Sequence, residues 1–231
     1  MESYKSPSAS NLNSTIHHPF EDVRWSPICI GRLSTHELAP AFVAEVARLF
    51  HRYVEEIVMR YALCPFLKEM ESGVGSLLIF LDDKPCVDTA VEAVCNSTTS
   101  VTHLMYPLLS LRPEEFERFG SSIHHAVNKR MDEAPVHATF HPELAGATDC
   151  PYRFIGLLRH SPDPFVQFIP GNIQKVNSPT IDNPDRLFRE LVGETRDILL
   201  NTLEDIKADR DKAYARFRTA FGLSDNQSDV A

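Results

Sequence analysis

Residues 76–81 read Ser-Leu-Leu-Ile-Phe-Leu, a short apolar run that polar residues follow directly. A run of this length is typical of a buried strand. Two similar runs follow along the chain, at residues 101–106 and 136–141, and helical patterns at 87–94 and 113–131 separate the three. Strands joined by helices of this length predict an α/β fold. Its central sheet is expected to be largely parallel, with right-handed βαβαβ crossovers.

Long helices are predicted before and after this region of the sequence. The first begins at Pro40, because apolar residues recur at steps of three and four as far as Tyr61, and it ends before Cys64-Pro65. The last has Asp182 or Asn183 as its cap and Pro184 in its first turn. Its predicted buried line consists of Leu187, Leu191, Ile198 and Leu203.

The last helix becomes mostly charged over residues 205–218. We expect this distal half to be solvated or to contact a partner, which would include a second copy of the chain. Shorter elements complete the pattern: an edge strand at 25–31, a helix at 152–159 and a strand at 165–169. We therefore predict a flexible arm over 1–23, one α/β domain over 24–223 and a flexible tail over 224–231.

Composition limits the classes of function. The chain has 231 residues, is 43% hydrophobic and carries a formal net charge of −9, so it is a folded protein with an acidic surface. This charge disfavours nucleic acid as the main partner, with a tRNA as the one exception retained. No membrane span, signal peptide or disulfide framework is evident, and a cytoplasmic location is expected.

The strand ends are the first place to look for chemistry. In an open parallel sheet the ligand crevice lies beyond the carboxyl ends of the strands. This rule predicts a shared rim formed by Asp82-Asp83, Tyr106-Pro107 and His141-Pro142-Glu143. Among these, Tyr106 is a candidate for contact with a substrate.

His141 and Glu143 are candidate metal ligands or an acid and base pair, because an imidazole and a carboxylate follow the same strand. The alternative is that His141 only hydrogen-bonds the turn that Pro142 starts. His51 and Glu55 stand one helical turn apart, a spacing that can present two ligands to one ion.

Two side chains are candidate nucleophiles. Cys64 would attack as a thiolate if its surroundings favoured that form, although a buried, inert cysteine is the commoner case. Ser34 follows Gly31-Arg32-Leu33 after a short strand, as an active serine or an anion-binding residue can. The glycine spacing of a phosphate-binding loop is missing there.

Several short segments are similar in order and spacing to one known family. They are Val54-Glu55-Glu56-Ile57, Leu63-Cys64-Pro65-Phe66, Thr139-Phe140-His141-Pro142, Pro151-Tyr152 and Leu157-Leu158-Arg159. Over roughly residues 45–205 the chain resembles the uncharacterised family known as domain of unknown function 1415. The resemblance implies a compact α/β domain in which Cys64, His141 and Arg159 are the matched polar positions. It implies no established activity.

The chain departs from that family at two positions. Tyr106-Pro107 stands where the family would have His-Pro, and Gly156 stands where a histidine would precede Leu-Leu-Arg. If those histidines hold a metal in relatives, this chain needs another ligand set. The replacements would come from His51, Glu55, His103, Glu143 and His160.

The sequence leaves three functions open. The first is a small intracellular enzyme that modifies a polar metabolite, such as an oxidoreductase that uses iron, manganese or zinc on His141 with carboxylates. There Arg159 would hold a substrate carboxylate. The second is metal-free acyl or aminoacyl transfer, with Cys64 or Ser34 as nucleophile and His141 as base. The third is a binding module without catalysis.

Overall fold

The computed structural model describes residues 27–61, 63–64, 75–99, 101–169, 171 and 184–221. The predicted arm at 1–23, the tail at 224–231 and the helix cap at Asp182 or Asn183 lie outside the described residues. No helix in these ranges is both long enough and apolar enough to cross a membrane.

Five strands form one sheet in the order β1-β2-β3-β5-β4. The first three are parallel, whereas β5 runs antiparallel to both of its neighbours. The α/β class is therefore confirmed, and the sheet is mixed because β5 inserts between β3 and β4. The strands are β1 Ile28–Ile30, β2 Gly75–Phe80, β3 Val101–Met105, β4 Val136–Phe140 and β5 Phe165–Ile169.

Helices cover both faces of this sheet, because the central strands bury apolar side chains on both sides. One face of β2 presents Leu77 and Ile79 to a core shared with the first and last long helices. The other presents Leu78 and Phe80 to a second core. The helices are α1 Ala39–Tyr53, α2 Val87–Cys95, α3 Pro113–Asn128, α4 Pro151–Leu158, α5 Pro184–Glu190 and α6 Glu194–Ala220.

The first long helix is confirmed, with one addition. Its apolar stripe is buried as predicted, but α1 passes into a π-helix over Val54–Met59. A π-helix winds with hydrogen bonds from i to i+5, so its side chains no longer follow the α-helical spacing.

The last helix differs from the prediction in two ways. It is split into α5 and α6 near Gly193, whose φ of +54° favours glycine. Ile198, predicted to be buried, is 37% exposed. The break shifts the helical phase, so Leu199 takes the buried position instead of Ile198, while Leu203 is buried as predicted.

One face of the distal half of α6 packs on the rest of the fold, which the sequence did not lead us to expect, whereas most of its charged residues are exposed as predicted. Ile206, Tyr214 and Phe217 are buried against α1 and its neighbours. Asp209 also accepts hydrogen bonds from the guanidinium groups of Arg48 and Arg52, at 2.9 and 3.0 Å. The charged residues thus include ion pairs that join α6 to α1.

Candidate functional site

A cleft of about 860 Å³ lies beyond the carboxyl ends of β3 and β4, with α6 as its far wall. Asp83, Pro107 and the segment His141-Pro142-Glu143 all line it. The shared rim predicted from the topology rule is therefore confirmed for these residues. The turn that precedes β5 lies beside these residues and completes the wall that faces α6.

His141 is buried in this rim and uses both ring nitrogens. Nδ1 accepts the backbone N–H of Glu143 at 3.1 Å, and Nε2 donates to the carbonyl oxygen of Leu111 at 3.0 Å. Burial lowers the pKa of His141, so the neutral ring is favoured near pH 7. The ring thus joins two loops of the rim, and this is the turn-stabilising role weighed as the alternative to catalysis.

The base of the cleft contains a buried ionic cluster that the sequence did not reveal. Asp163 has no exposed surface. Its carboxylate accepts a hydrogen bond from Nε of Arg210 at 2.9 Å and another from the hydroxyl of Tyr214 at 2.5 Å. Arg210 also lies over the Tyr214 ring, 4.9 Å from its centroid. The most buried cation of the cleft is therefore paired within the fold.

The remaining charges of the cleft are mixed in sign. Glu143 is exposed on the strand wall, and Lys207 is exposed on the helix wall. Other charged groups along the cleft are Asp83, Glu204, Asp211 and Arg218. Such a lining suits a polar ligand that carries both charges or several hydroxyl groups.

The structure keeps His141 beside Glu143 but separates this predicted pair of metal ligands from His51. His51 lies on α1, whereas the ring of His141 packs 5.9 Å from Phe116 of α3, on the opposite face of the sheet. Glu55 lies inside the π-helix, where the assumed one-turn spacing from His51 is changed. Among the described residues, no three His, Cys, Asp or Glu side chains form a group that could hold a metal ion. The described residues therefore do not fit a metal site.

Arg159 occupies a second region, which we call the Arg159 corner and define as Arg159, Phe140, Tyr53 and Cys64. The guanidinium lies over the Phe140 ring, with Cζ 5.9 Å from the centroid. Burial lowers its pKa, with Tyr53 and Glu117 acting in the opposite direction. Among the described residues it has no hydrogen-bond or ion-pair partner.

Tyr53 links this corner to the core. Its buried hydroxyl donates to the carbonyl oxygen of Leu158 at 2.6 Å, which fixes the end of α4 and with it the position of Arg159. Burial raises the pKa of Tyr53, and the charges of Arg159 and Cys64 act on the same hydroxyl with opposite signs. Cys64 packs against the core that contains Tyr53 and Leu158, so it meets the same part of the core as the end of α4, although 95 residues separate it from Arg159 in sequence.

The other two candidates have separate positions. Ser34 lies half-buried in a 3-10 turn, Arg32–Thr35, that follows β1, and it does not line the cleft. Tyr106 is buried under the rim, where its ring stacks on Phe80 at 4.8 Å. Only its neighbour Pro107 reaches the cleft.

The missed residues had weak signatures in the sequence. Asp163 lies between two prolines in Ser161-Pro162-Asp163-Pro164, directly before a strongly apolar strand. A carboxylate entering a buried strand is expected to need a partner. Arg210 and Tyr214, four residues apart on α6, supply it, but their pairing with Asp163 depends on the tertiary fold.

No family model, no curated protein and no solved structure matches this chain. The likeness to domain of unknown function 1415 therefore stays a prediction.

Proposed function

We propose that this protein binds a small molecule bearing a carboxylate or a similar anion at the Arg159 corner, and transfers an acyl group from it through the Cys64 thiol. The observation that supports this most strongly is the guanidinium of Arg159, which is mostly buried and has no carboxylate or hydrogen-bond acceptor among the described residues. An anionic ligand would supply the missing partner.

The energetic argument compares two arginines. Removing a guanidinium from water is costly unless an anion or hydrogen bonds replace the lost hydration. Arg210, which is also well buried, is paired with Asp163. Arg159 has only the face of Phe140 and more distant charges. A planar guanidinium is well suited to bind a carboxylate through two parallel hydrogen bonds.

Cys64 is the nucleophilic side chain of the Arg159 corner. It is half-buried and contacts the core around Val101. In the proposed step, the sulfur attacks the carbonyl carbon of the bound acyl donor and forms a thioester. The leaving group departs with the proton that the thiol gives up. A second nucleophile, such as an amine, then takes the acyl group and restores the thiol.

His141 has no part in this proposal. Its ring is engaged with Glu143 and Leu111, and it lies on the α3 side of the sheet. The role of general base to Cys64, which the sequence allowed, is therefore assigned to the departing group itself.

The test uses two thioester probes, the N-acetylcysteamine thioesters of succinate and of butyrate. They have similar length, but only the first carries a carboxylate. We expect the succinyl probe to acylate Cys64, as mapped by peptide mass spectrometry, and Cys64→Ser to remove that label. The preference is the rate of Cys64 labelling by the succinyl probe divided by the rate with the butyryl probe. Arg159→Gln should reduce this ratio by about tenfold or more, as expected for the loss of a charged hydrogen bond.

Arg60→Gln is the matched control, because Arg60 is exposed and lies over the Tyr61 ring just beyond the π-helix. It should leave the preference unchanged. Equal labelling by the two probes in the wild type, or labelling that survives Cys64→Ser, would overturn the proposal.

A second candidate is binding without catalysis in the cleft. It is favoured by the volume of about 860 Å³ and by the mixed charges of Glu143 and Lys207 on its two walls. Thermal-shift measurements with a panel of free amino acids test it. A stabilisation lost in both Glu143→Gln and Lys207→Gln, but kept in Arg159→Gln, would favour the cleft over the Arg159 corner.

A further inference from the structure

A third polar site lies where the loop after β2 leads into α2. Cys86 immediately precedes the first residue of α2, Val87, and its side chain is exposed. The hydroxyl of Thr89, one turn into the helix, donates to the Cys86 sulfur at 3.2 Å. This part of the chain has no role in the proposed acyl transfer at Cys64.

The start of a helix favours a thiolate, because unpaired backbone N–H groups and the helix dipole place positive charge there. The pKa of Cys86 is lowered, first by the Thr89 hydroxyl and then by the backbone amides of Thr89 and Asp88. The carboxylate of Asp88 and slight burial oppose this. The balance still favours the thiolate compared with an ordinary cysteine.

A buried hydroxyl near the start of α2 is a second, independent indication of a ligand site. The hydroxyl of Tyr106 is fully buried and has no hydrogen-bond partner among the described residues. Burial raises its pKa most, and the negative charges of Cys86 and Asp82 raise it further. Val87, the residue after Cys86, packs against the same core as the Tyr106 ring, so that ring lies close to the start of α2.

An unpaired buried hydroxyl costs free energy unless some occupant of the site accepts its hydrogen bond. Phe80, Phe116 and Phe119 surround the ring and offer no acceptor. In the arrangement proposed below, the acceptor enters where the ring meets the start of α2. It must also be small, because the hydroxyl has no exposed surface.

We propose that small hydroperoxides oxidise Cys86 to a sulfenic acid, and that the Tyr106 hydroxyl donates a hydrogen bond to the oxygen atom added to the sulfur. The sulfur attacks the outer oxygen of R–O–O–H, the O–O bond breaks, and a new S–O bond forms. The RO fragment leaves with a proton as R–OH. Cysteine sulfur is oxidised by two electrons, and the peroxide is reduced by the same two.

A single oxygen atom fits this geometry better than a larger adduct. A mixed disulfide would place a carbon chain on the exposed side of the sulfur, where it could not accept from a hydroxyl buried among aromatic rings. In the proposed site Cys86 reacts, whereas Thr89 and Tyr106 are positioning residues.

The first measurement treats the whole protein with hydrogen peroxide in the presence of dimedone, which labels sulfenic acids, and maps the label by peptide mass spectrometry. Cys86 should carry most of it. Cys95 provides an internal control, because it ends the same helix α2, where the dipole disfavours an anion. Cys64→Ser should leave the label on Cys86 unchanged, which separates this site from the acyl-transfer proposal.

The second measurement separates the two positioning residues. Between pH 6 and 8, an ordinary thiol of pKa 8.5 gains roughly 70-fold in alkylation by iodoacetamide, following its thiolate fraction. The alkylation rate of Cys86 should rise clearly less between these two pH values. In Thr89→Val, the ratio of the rates at pH 8 and pH 6 should move towards that of an ordinary thiol. Tyr106→Phe should keep the alkylation profile but lower the dimedone label about fivefold, as expected for one lost hydrogen bond.

Three results would overturn the proposal. They are stronger labelling of Cys95 than of Cys86, an ordinary pH profile for Cys86, or an unchanged label in Tyr106→Phe. A mixed disulfide on Cys86, formed from oxidised glutathione in preference to the sulfenic acid, would also contradict the assigned chemistry.

Discussion

Nε of Arg210 donates a 2.9 Å hydrogen bond to Oδ1 of Asp163, a carboxylate with no exposed surface. The bond joins the turn that precedes β5 to the last long helix. Since the turn and the helix form two walls of the cleft, the ion pair also holds the cleft in shape.

Asp163→Asn should therefore lower the free energy of unfolding by about 3–5 kcal/mol, because it leaves the guanidinium of Arg210 buried without its anion. Urea denaturation followed by circular dichroism measures this. The matched control is Glu190→Gln, which breaks an exposed ion pair with Arg186 and should cost about 1 kcal/mol or less. A loss below 1 kcal/mol in Asp163→Asn would show that the pair contributes little.

A substitution at Arg159 is expected to change the free energy of unfolding in the opposite direction. Its guanidinium is mostly buried without an anion among the described residues, so Arg159→Gln removes an uncompensated charge. We expect the unliganded protein to become more stable by about 1 kcal/mol, while it loses the preference for an anionic ligand. Urea denaturation of the ligand-free protein tests this. Destabilisation by more than 1 kcal/mol would indicate an internal role for Arg159 instead.

These two arginines show what could be predicted from the sequence. Arg159 was a candidate through a short motif, but its lack of a partner depends on which residues the fold places around it. Arg210 lay in a helix segment expected to be solvated or to contact a partner, because charged residues outnumber apolar ones there. The buried Tyr214 and Phe217 recur at helical spacing within that segment, and their packing outweighs the surrounding charge.

The strands and helices were predictable because apolar runs and 3.6-residue periodicity are local properties. Two features were not. The direction of β5 leaves no mark in its composition, since Phe165, Val166 and Phe168 would be buried in either orientation. The π-helix over Val54–Met59 changes the winding of the chain without any proline or glycine within that segment.

The rim of the cleft was predictable for another reason. The topology rule places the carboxyl ends of parallel strands at one edge whatever residues they carry, so Asp83, Pro107 and His141 share the cleft. The roles of those side chains were not predictable, because they depend on loops from other parts of the chain. The carbonyl of Leu111, 30 residues from His141, decides how that ring is used.

A close approach between α3 and β4 gives a test of packing. An added Cβ at Gly120 would lie 2.5 Å from Cγ2 of Thr139, too near for two carbon atoms. Gly120→Ala should therefore destabilise the protein by about 1–3 kcal/mol, even though alanine favours a helix. The measurement is a double-mutant cycle by urea denaturation.

Thr139→Ser is the second arm of that cycle, because it removes the methyl group that meets the new Cβ. Gly120→Ala should cost clearly less in this background, since the next atom, on Val166, is 3.4 Å away. Equal costs in the two backgrounds would show that another contact is limiting.

The stability of the protein should depend on pH through His103. This side chain is buried beside Phe50, the Gln167 amide donates to its Nε2 at 3.0 Å, and burial lowers its pKa to about 4. A histidine in the unfolded chain has a pKa near 6.5. When the pH falls below 6.5, the unfolded chain therefore binds a proton at this residue while the folded chain stays unprotonated there until about pH 4. His103 therefore contributes stability that is fully present above pH 6.5. We expect a loss on the order of 3 kcal/mol as the pH falls from 6.5 to 4.

Urea denaturation at pH 7.0, 5.5 and 4.5 measures this dependence. Burial also lowers the pKa of His51, His137 and His141, so these residues add to the loss in the same direction. His103→Leu removes one titrating group and should flatten the curve, although it leaves the Gln167 amide without its acceptor and so costs stability at pH 7. His125→Leu, at an exposed position on α3, is the control and should leave the slope unchanged. An equally steep loss in His103→Leu would assign the pH dependence to the other histidines.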